Sequence, residues 1–275
     1  MTEAETTNGE AVPARAVALL GLSEALLTTA LLFGIVTIVR WTFGPSPISD
    51  HVRSLHGRLA IVGLAVGLLL VAIMSFPPSR ASGAHMNPAI SLAMWRYGLL
   101  SRAALLFYIV GQLVGSVSGV LLGVLVWGST VSRPPLSFAA VHAGRHWTAA
   151  QVFSVEAATT AALIITVGLV LSNPSTARAV PVVVGALICL LVIALGSLTG
   201  ASDNPARQFG PATLSGQTSL LWVYLIAPLV GAYFAPPLQR LIHPGQPTTH
   251  SLCRPPGSAL QRAPKDPQQG VCRGV

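Results

Sequence analysis

Six apolar stretches of about bilayer length dominate this chain. A helix needs about 20 apolar residues to cross the hydrocarbon core, because backbone polar groups cannot remain unpaired in lipid. The stretches that meet this requirement are 16–39, 59–76, 103–128, 150–172, 179–199 and 217–239. Two further apolar pieces, 87–97 and 204–213, are too short to cross. The sequence therefore predicts an all-α membrane protein with six transmembrane helices and two half-helices.

The composition supports a membrane protein and argues against several other classes. Hydrophobic residues make up 52% of the chain and charged residues 9%, and the mean hydropathy is +0.67, which is too apolar for an ordinary soluble domain. The net charge is +8, but the basic residues are scattered between the apolar stretches and form no nucleic-acid-binding region. The cysteines and histidines lack metal-ligand spacing, and no catalytic motif is present. We expect no metal, no other cofactor and no enzymatic activity.

The distribution of basic residues predicts the orientation. With both termini in the cytoplasm, ten basic residues fall on the inner side and five in the outer loops, with Arg207 set aside, as the positive-inside rule favours. Residues 1–15 are then a cytoplasmic tail and 16–242 the membrane domain. Residues 243–275 are rich in Pro, Gly, Gln and Ser, which predicts a disordered cytoplasmic tail. We expect a multi-pass protein of the plasma membrane, in contact with membrane lipid.

The membrane domain contains an internal repeat. Residues 16–128 and 150–239 each comprise three spanning stretches, with a short Asn-Pro-Ala piece after the second. Because three crossings is an odd number, the second repeat enters the membrane from the opposite side. This pattern predicts an inverted three-helix repeat.

Glu24 and Glu156 are the only acidic residues inside the spanning stretches, and each lies in the first helix of its repeat. An ionisable residue in a spanning helix is costly and suggests a functional site. The alternative is structural, since the two short segments have backbone N–H groups that need acceptors within the membrane. We expect both glutamates to support these segments.

The segments Asn87-Pro88-Ala89 and Asn204-Pro205-Ala206 carry the main functional signal. Asn caps a helix, and Pro suits its first turn because its missing N–H would have no helical partner there. In an inverted repeat the two half-helices meet near the midplane with their positive dipole ends together. This arrangement disfavours cations, whereas neutral solutes can accept hydrogen bonds from the two asparagine amides.

The paired segments closely resemble those of the aquaporin, or major intrinsic protein, family, and the resemblance covers about 16–240. It implies a right-handed bundle of six transmembrane helices plus two re-entrant half-helices, a pore in each protomer and a homotetramer. The implied function is passive conduction of water or small neutral solutes, without protons or ions. Asn87 and Asn204 match the midplane donors, Arg207 matches the filter arginine, and Gln112 matches a glutamine of the third helix.

The resemblance also places the other filter positions. They fall on Val192, on Ala201 and on either Val66 or Gly67, depending on a gap in the loop 76–80. Water-selective relatives typically have His at the first of these positions and a bulky aromatic residue at the last. The predicted ring is therefore wide and apolar apart from Arg207, like that of the plant nodulin-type subgroup, which passes glycerol or uncharged metalloid acids such as arsenous acid. Gln208 differs from the Asp usual in glycerol channels, so the pattern is mixed.

Two residues of the motifs have open roles. Asp203 either pairs with Arg207 or an outer-loop arginine, or stabilises its own loop. His85 either lines the pore, where it could respond to pH, or is structural in its loop. The alternative function is an inverted-repeat secondary transporter of a small solute, although the sequence shows no site for a coupling ion.

Overall fold

The computed structural model describes residues 14–242. The predicted cytoplasmic tail 243–275 and most of the tail predicted at 1–15 lie outside this range. The α-helices of the described part are α1 (Ala14–Phe43), α2 (Pro47–His51), α3 (Leu55–Ser75), α4 (Pro88–Arg96), α5 (Arg102–Trp127), α6 (Ala149–Leu171), α7 (Val180–Leu195), α8 (Pro205–Ser215) and α9 (Leu221–Ile242). The first helix thus begins at Ala14, inside the predicted tail.

The six predicted transmembrane helices are confirmed as α1, α3, α5, α6, α7 and α9, which are long and apolar enough to cross a membrane. Their ends shift by a few residues. The α7 helix stops at Leu195, not at 199, because residues 196–199 form turns leading into the second re-entrant loop. Residues 47–51, which follow the first transmembrane helix, form the short helix α2, which Ser46 caps by accepting the backbone N–H of Ser49.

The half-helices α4 and α8 start where the sequence predicts. The side-chain oxygen of Asn87 accepts a hydrogen bond from the backbone N–H of Ala89 at 2.8 Å. The side-chain oxygen of Asn204 accepts the equivalent bond from Ala206 at 2.9 Å. In both helices the next residue is proline at the first position, which fixes the backbone for helix entry.

The helices pack in pairs that match between the repeats. A Cβ atom added at Gly111 of α5 would lie 2.2 Å from the carbonyl oxygen of Gly21 in α1. One added at Gly231 of α9 would lie equally close to the carbonyl of Ala157 in α6. The helices α1 and α5 therefore touch backbone to backbone, as do α6 and α9. The remaining pair, α3 and α7, also packs directly together, and this layout brings α4 and α8 into the middle of the bundle.

Candidate pore

The loops that precede α4 and α8 follow the same unusual backbone path. Each contains three residues with positive φ at matching positions. The matching pairs are Gly83 and Gly200 (84° and 93°), Ala84 and Ala201 (50° and 47°), and Met86 and Asp203 (48° and 46°). Residues other than glycine adopt this conformation only when their surroundings impose it. Neighbouring side chains therefore have to hold both loops in this conformation.

Glu24 is one of these groups. Its side chain is fully buried, and one carboxylate oxygen accepts the backbone N–H of His85 at 3.0 Å. The other oxygen accepts the N–H of Met86 and the Nε2–H of Gln112, both at 2.7 Å. Three donors thus converge on this carboxylate. Two of them are backbone N–H groups of the loop before α4, so the carboxylate holds that loop in place.

Glu156 makes the equivalent contacts in the second repeat. Its two carboxylate oxygens accept the backbone N–H groups of Ser202 at 3.2 Å and Asp203 at 2.8 Å. Its side chain is also fully buried. These contacts are the ones that the predicted supporting role of both glutamates requires.

Two tyrosines also form hydrogen bonds to these loops, a role that was not predicted from the sequence. The hydroxyl of Tyr108 donates to the carbonyl of Ser82 at 2.8 Å. The hydroxyl of Tyr224 donates to the carbonyl of Thr199 at 2.6 Å. The available signal was a phenol inside an apolar helix, because a buried tyrosine hydroxyl normally has a hydrogen-bond partner.

The two asparagines link the loops to each other. The Nδ2 atom of Asn87 donates to the carbonyl of Asp203, and that of Asn204 donates to the carbonyl of Met86, both at 2.9 Å. Each amide carries a second N–H, and both asparagines line the same cavity. The tips of α4 and α8 therefore meet at one place, with their positive dipole ends together.

The cavity has a volume of about 1030 Å³ and extends past these tips in both directions. Arg80 and Arg178 line one end, near the start of α1, and we call this the Arg80 end. Arg145 and Arg207 line the opposite end, which we call the Arg207 end. Among residues 14–242, those that line the cavity include no Asp or Glu. The shape and lining are those of a conduit that neutral molecules could follow through the bundle.

The predicted filter positions lie on this cavity with one exception. Val66, Val192, Ala201 and Arg207 are among its lining residues. Gly67 is not, and a Cβ added there would lie 2.5 Å from the carbonyl oxygen of Gly185 in α7. Of the two alternatives that the sequence left open, the geometry favours Val66, and Gly67 is a helix-packing residue.

Arg207 is held against the cavity wall by the segment that joins α5 to α6. We call residues 135–145 the strap. The Nη1 atom of Arg207 donates to the carbonyl of Ala139 in the strap at 2.8 Å. His142 of the strap also lines the cavity, where burial and the nearby positive charge of Arg207 lower its pKa. Burial and charge repulsion both disfavour a second cation there.

Asp203 does not pair with an arginine in the described part of the chain, so that alternative is wrong. One of its carboxylate oxygens accepts hydrogen bonds from the hydroxyls of Thr159 and Thr160 in α6. The side chain is buried and does not line the cavity, because the left-handed backbone at Asp203 turns it behind the loop. Asp203 therefore stabilises its loop, which is the other role that the sequence allowed.

His85 has a structural position and also lines the cavity. Its Nδ1 atom lies 3.1 Å from the Oγ atom of Ser91, and its ring packs beside that of Tyr108, with centroids 5.1 Å apart. This placement is compatible with either of the two roles considered from the sequence, and both stay predictions. Within residues 14–242, no group of three or more His, Cys, Asp or Glu side chains is arranged to hold a metal ion.

Comparison with known proteins agrees with this geometry. The family model for the major intrinsic proteins matches residues 16–237. Aquaporin TIP2-3 of Arabidopsis thaliana is 33% identical over 218 residues, which cover 78% of this chain and 83% of that protein. Aquaporin NIP1-1 of Zea mays is 34% identical over 185 residues, which cover 65% of this chain and 62% of the maize protein.

A solved structure shows the same fold. The aquaglyceroporin from Plasmodium falciparum superposes with a TM-score of 0.66 at 22% identity, covering 82% of this chain and 98% of that one. The fold, the family model and the relatives agree with the paired Asn-Pro-Ala loops around one cavity. The chain belongs to the major intrinsic protein family and is a multi-pass membrane channel for water or small solutes.

Proposed function

We propose that this protein is a passive pore with a wide filter, which conducts water together with larger uncharged solutes such as glycerol and metalloid acids. The observation that carries this proposal is the lining of the cavity near Arg207. Three of the four predicted filter positions are Val66, Val192 and Ala201, which are neither aromatic nor histidine, and the one histidine of the strap on this cavity, His142, lies outside these positions. Valine and alanine neither narrow the passage as an aromatic ring does nor add a hydrogen-bond donor to it.

Exclusion of cations follows from three fixed positive features. The half-helix tips place two positive dipole ends beside Asn87 and Asn204. Arg207 adds a full positive charge at one end of the cavity, and the lining residues of the described part of the chain include no carboxylate to offset it. A cation loses hydration here and gains no negative partner. A neutral solute can instead accept hydrogen bonds from the amides.

The proposed setting is a homotetramer in the plasma membrane with both termini in the cytoplasm. The Arg80 end then faces the cytoplasm. Arg80, Arg96, Arg102 and Arg178 support this orientation, since all four lie at or near the helix ends on that side. The tetramer rests on the family resemblance.

Flux measurements in proteoliposomes test the proposal. We expect faster shrinkage than empty vesicles show in stopped-flow osmotic jumps, without proton conductance, and uptake of glycerol and arsenous acid. The double variant Val66→Phe/Val192→His should reduce glycerol and arsenous acid flux more than water flux, because it narrows the filter. Val114→Phe is the matched control, because Val114 is 55% exposed on the outer surface of α5. Equal glycerol flux before and after filling the filter would refute the wide-filter proposal.

The competing function is a secondary transporter. In such a protein Glu24 or Glu156 would have to bind and release a proton or ion, but both carboxylates are occupied by loop N–H groups. We expect flux proportional to the solute gradient and independent of any ion gradient. A requirement for a pH gradient, or solute counterflow, would favour the transporter.

A further inference from the structure

The strap has an unusual backbone beside Arg207. Ser137, Phe138 and Ala139 have φ values of 41°, 57° and 63°. Three consecutive residues other than glycine in the left-handed region are rare, and they persist only where neighbouring groups hold them. The carbonyl that this path presents to the cavity side is that of Ala139, which accepts the hydrogen bond of Arg207.

Few hydrogen bonds tie this part of the strap to other segments, although Ala139 is also buried in the apolar core with residues of α1 and α3. The hydrogen bonds that link residues 137–141 to other segments of the described chain all end on Arg207 or Gln208. Further along, the backbone N–H of Gly144 donates to the carbonyl of Leu198 at 2.8 Å. Hydrogen bonds therefore fix the strap to backbone at its far end and to two side chains of α8 next to the filter, in addition to the apolar packing of Phe138 and Ala139.

Gln208 makes two of these hydrogen bonds, both to the backbone of Val141. Its Oε1 atom accepts the backbone N–H of Val141, and its Nε2 atom donates to the carbonyl of the same residue, both at 3.0 Å. The side chain is 1% exposed and is absent from the cavity lining. Only a group that both donates and accepts can make this pair of bonds, as a primary amide does and an ionised carboxylate does not.

We propose that Gln208 is a positioning residue for the filter. By fixing Val141, it holds the carbonyl of Ala139, two residues earlier, where that carbonyl keeps the guanidinium of Arg207 against the wall. The Oε1 atom of Gln208 also accepts a long hydrogen bond from Nη1 of Arg207 directly, at 3.4 Å. The free width of the pore at the Arg207 end then depends on a side chain that no solute touches. This inference rests on the proposed function, in which Arg207 belongs to the filter.

A double-mutant cycle tests the proposal by the ratio of glycerol to water permeability. In Gln208→Ala the strap loosens, and the guanidinium leaves the wall and occupies the lumen. We expect the ratio to fall about threefold, a factor within the range that loss of one hydrogen bond produces. In an Arg207→Ala background no guanidinium remains to move, so the same substitution should leave the ratio nearly unchanged. A role in loop folding alone would lower the ratio equally in both backgrounds.

Gln208→Glu gives a second readout and retains the shape of the side chain. A protonated carboxyl donates and accepts as the amide does, whereas an ionised one loses its donor and attracts Arg207. We expect the ratio to approach the wild-type value at the acidic end of a pH 5 to 8 series and the Gln208→Ala value at the alkaline end, against an unchanged wild type. Gln217→Ala is the control, since Gln217 makes no hydrogen bond to the strap.

The outcomes separate the two proposals. An equal effect of Gln208→Ala in both backgrounds, no effect in either, or a pH-independent Gln208→Glu variant would overturn the positioning role alone. Wild-type vesicles that conduct neither water nor glycerol would overturn the proposed function, and the positioning role with it.

Discussion

Replacement of Glu24 by Gln tests whether buried carboxylates hold the re-entrant loops. The carboxylate accepts three hydrogen bonds, one on the first oxygen and two on the second. If the amide oxygen of Gln takes the second position, the bonds from Met86 and Gln112 remain. Its NH₂ group then faces the N–H of His85, and that bond is lost. A hydrogen bond to a charged acceptor contributes about 1.5–3 kcal/mol, so we expect Glu24→Gln to lower the free energy of unfolding by about that amount.

Truncation extends the comparison to the second repeat. Glu24→Ala removes three bonds, whereas Glu156→Ala removes two. The first variant should therefore be the less stable, by roughly one further bond of about 1.5–3 kcal/mol. Thermal unfolding in detergent, followed by circular dichroism, measures the unfolding temperatures. We expect them to decrease from the wild type to Glu156→Ala and from Glu156→Ala to Glu24→Ala. Permeability per folded protomer should change less than the folded fraction in Glu24→Gln.

A second position on α1 provides the control. The hydroxyl of Thr28 is buried and has no hydrogen-bond partner among residues 14–242, so Thr28→Val should leave the unfolding temperature unchanged or raise it. The reasoning fails if Glu24→Gln melts like the wild type. It also fails if Thr28→Val loses as much stability, because burial of any polar group in α1 would then account for the effect.

Three further substitutions probe other contacts. Gly231→Val should lower stability by about 1–3 kcal/mol, because its Cβ would lie 2.2 Å from a backbone carbonyl of α6 and force the helices apart; a melting curve like that of the wild type would contradict this close packing. Tyr224→Phe removes the bond to Thr199 and should cost about 1–2 kcal/mol by the same assay. The lowered pKa of His142 means that the unfolded chain binds its proton first, so stability should fall as pH drops below about 6.5. The unfolding temperature should fall less between pH 7.5 and pH 5.5 in His142→Gln than in the wild type.

Much of the fold follows from the sequence because lipid leaves few options. A spanning helix must be about 20 residues long and apolar throughout, so the six stretches were visible directly. The two glutamates were equally informative, since an acid within such a stretch needs donors, and only the Asn-Pro-Ala segments had backbone N–H groups to supply. These features predicted the central loops and the two glutamates that contact them, but not the contacts of Tyr108 and Tyr224.

The filter region was less predictable because short contacts decide it there. The choice between Val66 and Gly67 depended on the placement of a gap in the loop 76–80. Residues Pro77–Ala81 fold as a 3₁₀ helix, which has no apolar periodicity by which the gap could be placed. Asp203 turns away from Arg207 because its backbone is left-handed, a property that an aspartate does not disclose in sequence. The strap has no regular pattern, so its attachment to Gln208 could be found only in three dimensions.

The crossed bonds of Asn87 and Asn204 bear on how the channel is assembled. A growing chain delivers its first repeat to the membrane before the second has been synthesised, and at that stage the amide of Asn87 has no Asp203 carbonyl to bind. The carbonyl of Met86 likewise has no Asn204 amide to accept from at that stage. Neither repeat alone can form these two hydrogen bonds. They can form only after the second half-helix has inserted, and its insertion allows both to form together.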